Sequence, residues 1–196
     1  MNTKRYLALS FGICCLSVTG FAQSTSKPEK PKPEHFAAVA YLPRGAARTA
    51  SHVDIRIKGY STDAETQQLA ATLIDGGQDA LMKALEKMKE IGSINLSSRV
   101  GFYDFKLVRS RPTETGRRIV AVTDRPFGFL ESYYSGRSKD YDLGILILDV
   151  KKDKKGKEVG EGTLFYAAKV KIVNGNQVEI EHYGIDPIRL ANLRKY

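Results

Sequence analysis

The chain has 196 residues, 31 of them basic and 22 acidic, for a formal net charge of +9, and only two cysteines. That length supports one domain with its own core. Cys14 and Cys15 are neighbours near the N-terminus, which excludes a disulfide framework or a thiolate metal site for the rest of the chain.

The first 22 residues read as a secretory signal peptide: Lys4 and Arg5 precede an apolar stretch from Tyr6 to Val18, and Gly20-Phe21-Ala22 has the small-x-small form of a cleavage site. The apolar stretch is too short to span a bilayer. Neither cysteine follows a small residue as a lipidated cysteine would. Cleavage after Ala22 leaves residues 23–196 with a net charge of about +7. The expected location is the periplasm or the extracellular space, without a membrane span after cleavage. Residues 23–35 hold Pro28, Pro31 and Pro33 and no large apolar side chain, so they read as a disordered Pro/Lys linker ahead of a single domain from 36 to 196.

Within that domain, Phe36 to Leu42 forms a first apolar strand closed by Pro43. Val53, Ile55 and Ile57 alternate with Asp54, Arg56 and Lys58 in a second, half-exposed one. Thr62 followed by Glu65 is a capping box that starts a helix at Asp63. Leu69, Leu73 and Ile74 line its inner face, Gly76-Gly77 interrupts it, and Ala80 to Ile91 continues with apolar residues at helical spacing. The pair forms a helical hairpin or one kinked helix.

Beyond Gly92 the pattern is strands. Val100 to Val108 and Arg117 to Asp124 flank a hairpin loop at 111–116. Leu143 to Val150 is apolar on both faces and reads as a central strand. Lys151 to Glu161 is its charged connection, Leu164 to Val173 and Gln177 to Tyr183 flank a turn at Asn174-Gly175, and Ile188 to Leu193 is a last strand. Successive hairpins with one helical insertion after the second strand predict an α+β domain with a mostly antiparallel sheet, or its curled or closed-barrel variant.

Several of these segments together resemble a family of uncharacterised secreted bacterial proteins of similar size. They are Ser61-Thr62-Asp63-Ala64-Glu65, Gly76 to Leu81, Gly116 to Val120, Thr123 to Pro126 with Gly128-Phe129, and Tyr183-Gly184 with Pro187 to Leu190. That family often has Trp near positions 60 and 130, where this chain has Tyr60 and Leu130. The resemblance implies export and a shared fold, and it carries over no catalytic residue.

For function, Arg125 follows a strand in a Pro/Gly-marked loop and can hold a carboxylate or phosphate with two parallel hydrogen bonds. Arg117 and Arg118 are expected nearby across the hairpin, with Tyr133 and Tyr134 as a wall, and the five residues form the candidate binding surface. The competing reading has Asp124 and Arg125 capping the turn while Phe127 and Phe129 plug the core. His52 beside Asp54 and His182 beside Glu181 suggest acid/base pairs, but no zinc-helix, serine-elbow or phosphate-loop motif is present. Asp149, Asp153, Gly156 and Glu158 lack calcium-loop spacing, and the five lysines among residues 151–157 would repel a cation. Those lysines suit anionic surfaces, although without interleaved aromatics they argue against nucleic acid. The chain thus reads as an exported non-catalytic domain, without cofactor or metal, that binds an anionic envelope component, another exported protein or a small ligand. The alternative is an exported hydrolase using Asp124, Glu131 and His182.

Overall fold

A computed structural model describes residues 32–41, 50–97, 101–127, 141–173, 177–182 and 187–196. The leader, most of the Pro/Lys linker, Tyr133 and Tyr134, and the turn at Asn174-Gly175 lie outside the described residues. Among the described residues, nine strands and one helix follow in the order β1 (Glu34–Tyr41), β2 (Ala50–Ile57), α1 (Asp63–Glu86), β3 (Gly92–Leu96), β4 (Phe102–Thr113), β5 (Gly116–Thr123), β6 (Leu143–Lys152), β7 (Glu158–Val173), β8 (Gln177–His182) and β9 (Ile188–Lys195).

Every strand pairing is antiparallel. The sheet runs β6-β5-β4-β3-β2-β1-β9-β7-β8, and β6 also pairs with β7. That last pairing closes eight strands into a barrel, with β8 attached outside the ring to the distal half of β7. An eight-stranded barrel is just wide enough for its own side chains to fill. Phe36, Ile55, Ile57, Ile94, Phe105, Ile119, Leu146, Leu148, Leu164 and Leu190 do so, each at most 1% exposed.

The central-strand expectation for Leu143 to Val150 is met. Leu146, Leu148 and Val150 face the barrel interior, while Leu143 and Ile145 face a second core beneath α1. Thr62 caps α1 with both arms of the capping box formed. The helix is one element kinked at Gly77, whose φ of 68° and ψ of −164° suit glycine. Leu69, Leu81 and Leu85 bury its inner face on the outside of the barrel.

Several boundaries differ from the sequence reading: α1 ends at Glu86, short of the expected Ile91, and β9 runs on to Lys195 past the expected Leu193. Strand β1 begins at Glu34, so Glu34 and His35 belong to the sheet and not to the linker. Residues 92–96, unassigned from sequence, form β3, where Ile94 and Leu96 face inward and Ser93 and Asn95 outward. The 111–116 loop shrinks to a two-residue turn at Glu114-Thr115 because Arg111, Pro112 and Thr113 pair with Arg118, Arg117 and Gly116. The charged connection contracts to Asp153–Lys157, where the Asp153 carboxylate accepts from the Lys155 and Lys157 N–H groups at 2.8 and 2.9 Å.

Candidate functional site

Because the interior is filled, any ligand must meet the barrel at an end or on its outer wall. At the end where β1 and β7 begin and β9 finishes, charged side chains sit on the inward-facing register. Glu34 is in phase with Phe36, Arg117 with Ile119, and Lys195 with Leu193. Arg117 donates from Nε and Nη2 to the two Glu158 carboxylate oxygens at 2.9 Å each. Its Nη2 also reaches both Glu34 oxygens at 3.1 Å, and Nη1 reaches the Tyr60 hydroxyl at 3.1 Å. Tyr60 in turn donates to Glu34 at 2.5 Å. Lys195 Nζ lies 2.9 Å from Glu34 and 2.7 Å from Glu158. Both cations sit 6.0 Å from the centroid of the Phe36 ring, forming a polar floor over the core.

Burial alone would raise the Glu34 and Glu158 pKa values. Hydrogen bonds outweigh it, from Tyr60, Lys195 and Arg117 for Glu34 and from Lys195 and Arg117 for Glu158, and hold both carboxyls below the usual range. Burial and the bond to Glu34 push the Tyr60 phenol well above its ordinary value. The floor is charge-balanced and internally satisfied, with Arg117 and both carboxylates largely shielded. It is built to hold the barrel end shut.

The outer wall at the same end is different. Arg118 is half-exposed and pairs with Asp149 through two hydrogen bonds of 2.7 and 3.1 Å. Arg189 neutralises Glu161 at 2.8 Å. Among the described residues, Lys151, Lys152, Lys154, Lys155, Lys157 and Arg194 have no carboxylate partner, and all are exposed. Two of them, Lys151 and Arg194, line a groove of about 600 Å³ bounded by β5, β6, β7 and β9. Gly160 is part of its floor, and a Cβ there would lie 1.9 Å from the Asp149 carbonyl oxygen.

Of the sequence-derived surface, Tyr133 and Tyr134 lie outside the described residues, and the three arginines stand apart from one another. Arg117 turns inward into the floor and Arg118 outward to Asp149. Arg125 lies beyond the far end of β5, about 25 Å away along an extended strand. There its guanidinium donates to the Phe102 carbonyl at 3.0 Å and lies 5.5 Å from the Tyr103 ring centroid. The hairpin could not have brought them together, because adjacent strand residues face opposite ways and residues 117 and 125 mark opposite ends of one strand. Phe127 is fully buried, edge-on to Tyr103 at 5.3 Å, as the competing core-plug reading anticipated. The groove residues that carry uncompensated charge are Lys151, one of the lysines read from the sequence as suiting an anionic surface, and Arg194, which the sequence reading does not single out.

The remaining candidates are dispersed. Asp124 faces Lys106 at 3.4 Å, whereas His182 is on β8 with its ring 6.0 Å from that of Phe165, and Glu131 lies outside the described residues. Asp54 sits between His35 at 3.5 Å and His52 at 3.8 Å. The cross-strand register places His35 and His52 on opposite sides of it. Among the described residues no cluster of three or more His, Cys, Asp or Glu side chains is arranged to hold a metal, and no helix is long and apolar enough to cross a membrane. A second groove of about 790 Å³ lies between the α1 kink and β7, where Gln78 Oε1 accepts from the Val170 N–H at 3.3 Å. Comparison with protein-family models, with curated proteins and with solved structures finds no match to this chain.

Proposed function

We propose that this protein is an exported, non-catalytic binding domain that engages an anionic component of the cell envelope through the basic end of its barrel. The observation that carries this reading is the division of charge at that end. The inward-facing cations are neutralised by Glu34 and Glu158, whereas the outward-facing lysines of the β6–β7 hairpin and Arg194 have no carboxylate partner among the described residues. Unpaired surface cations favour anions by long-range attraction, which salt weakens over a Debye length of about 10 Å at 0.1 M. The alternation of apolar side chains inward and polar ones outward suits a barrel surrounded by water, the reverse of a lipid-embedded one. Export rests on the leader-like first 22 residues.

The test is cosedimentation of the purified protein with isolated envelope fragments across a salt series. Binding at low salt that is released by about 0.5 M salt, and that drops when Lys154, Lys155 and Lys157 are changed to Glu, supports the reading. Salt-insensitive binding, or equal recovery of the variant, overturns it. N-terminal sequencing of protein recovered from its native host should begin at Gln23.

A further inference from the structure

Resting on that reading, we infer that the groove over Val159 is a phosphoryl-binding site, and that the ligand is a linear polymer carrying phosphoryl groups at intervals. The strand register places Lys151 opposite Val159 and Val159 opposite Arg194, so the three form one cross-strand row on the outer wall. Strands are about 4.8 Å apart, so the two cations rise from backbones about 10 Å apart with only a small apolar side chain between them. The adjoining row is Arg118, Asp149 and Glu161, and there both acids are already neutralised, by Arg118 and Arg189. Past Arg194 the row continues to Ala37 and then Asp54, the carboxylate flanked by His35 and His52. The groove therefore presents two free cations, Lys151 and Arg194, one on either side of Val159.

The arrangement selects among anions. A carboxylate has two oxygens and is satisfied by one guanidinium fork. A phosphoryl group offers further acceptors, and a Lys on one side and an Arg on the other can share it, the guanidinium as a fork and the ammonium as a point charge. Beyond Lys151 the strand leads into the hairpin turn that carries Lys154 and Lys155, so a ligand with repeated charges can continue from the groove onto them, which a single small anion cannot do.

Inorganic polyphosphate is the probe, with inorganic phosphate, polyglutamate of similar length and vesicles of phosphatidylglycerol as the other arms, measured by titration calorimetry on the purified protein. Polyphosphate should bind more tightly than polyglutamate or monomeric phosphate. Lys151→Glu and Arg194→Glu should each weaken it about tenfold, and the double variant by more than either. Circular dichroism and the thermal midpoint should stay at wild-type values, since both side chains are exposed and unpaired. Equal affinity for polyglutamate would overturn the phosphoryl assignment, and preference for the vesicles would overturn the polymer assignment in favour of a membrane surface. If Lys154→Glu with Lys155→Glu abolishes polyphosphate binding while the groove variants bind normally, the groove falls and the basic-end reading stands. If no anion binds in any arm, both fall together.

Discussion

Arg117 shows how one inward position can govern a barrel end. It is the shared donor for Glu34, Tyr60 and Glu158, so Arg117→Ala would leave two shielded carboxylates with Lys195 as their one remaining cation and Tyr60 still bonded to Glu34. Removing one member of a largely buried ion network costs roughly 2–4 kcal/mol, to be read as a lower midpoint in urea unfolding. Arg118→Ala, from an exposed pair, should change stability by less than about 1 kcal/mol. The network also sets a pH window. The Glu34 and Glu158 pKa values are lower in the folded than in the unfolded state, so their stabilisation is complete above the unfolded carboxylate range and is lost as pH falls through the folded values. Lys195 and Tyr60 are raised, so their contribution is complete below about pH 10 and is lost as pH rises further. Thermal midpoints should therefore plateau at neutral pH and decline on both sides, with Glu34→Gln flattening the acid limb. The sequence reading misses the floor, because it assigns Glu34 to the linker, ends the last strand before Lys195 and treats Arg117 as a surface residue, although each of the three sits two residues from an inward apolar one. What was not legible was that the four strands carrying the floor's ionic groups end at the same rim, which only barrel closure dictates.

The helix carries its own local instructions at the scale of the element, and those for its start and its kink hold, whereas it ends at Glu86, short of the expected Ile91. Both arms of the capping box form at Thr62, and Thr62→Ala should lower stability by about 1 kcal/mol. Gly77 bends the helix in a conformation nearly closed to other residues, so Gly77→Ala should cost about 2 kcal/mol despite the higher helix propensity of alanine. Both effects are measurable by denaturant titration. If the alanine at 77 stabilises, the kink is a consequence of packing and not its cause. The buried Ser61 fastens the helix start to β4, its N–H donating to the Val108 carbonyl at 2.8 Å and its hydroxyl accepting from the Val108 N–H at 3.2 Å. Short-range signals of this kind, a cap, a paired glycine or a period of two, sufficed to find most elements. The five residues of β3 escaped because the stretch is brief and opens on glycine. The lysine-rich hairpin was read as too long because charge at its tip masked strand pairing that runs up to Lys152 and resumes at Glu158.

The whole molecule is organised by the contact between its first and last strands. Strand β1 pairs with β9, the Tyr196 N–H donates to the His35 carbonyl at 2.9 Å, and Lys195 reaches Glu34 across 161 positions of sequence. The ring is therefore sealed by the two described strands farthest apart in sequence, a pairing that no local pattern could announce. This is why an open antiparallel sheet and a closed barrel stood as alternatives from sequence. A chain truncated after Pro187 should lose cooperative unfolding altogether, because β1 and β7 would both be left with bare edges and the rim would lose Lys195.

The seam between the terminal strands also dictates when the barrel can exist. However early the local hairpins form, the final staves cannot be hooped until residue 195 has emerged. Any machinery that handles this polypeptide progressively, from its N-terminus onward, meets an unsealed sheet until β9 arrives.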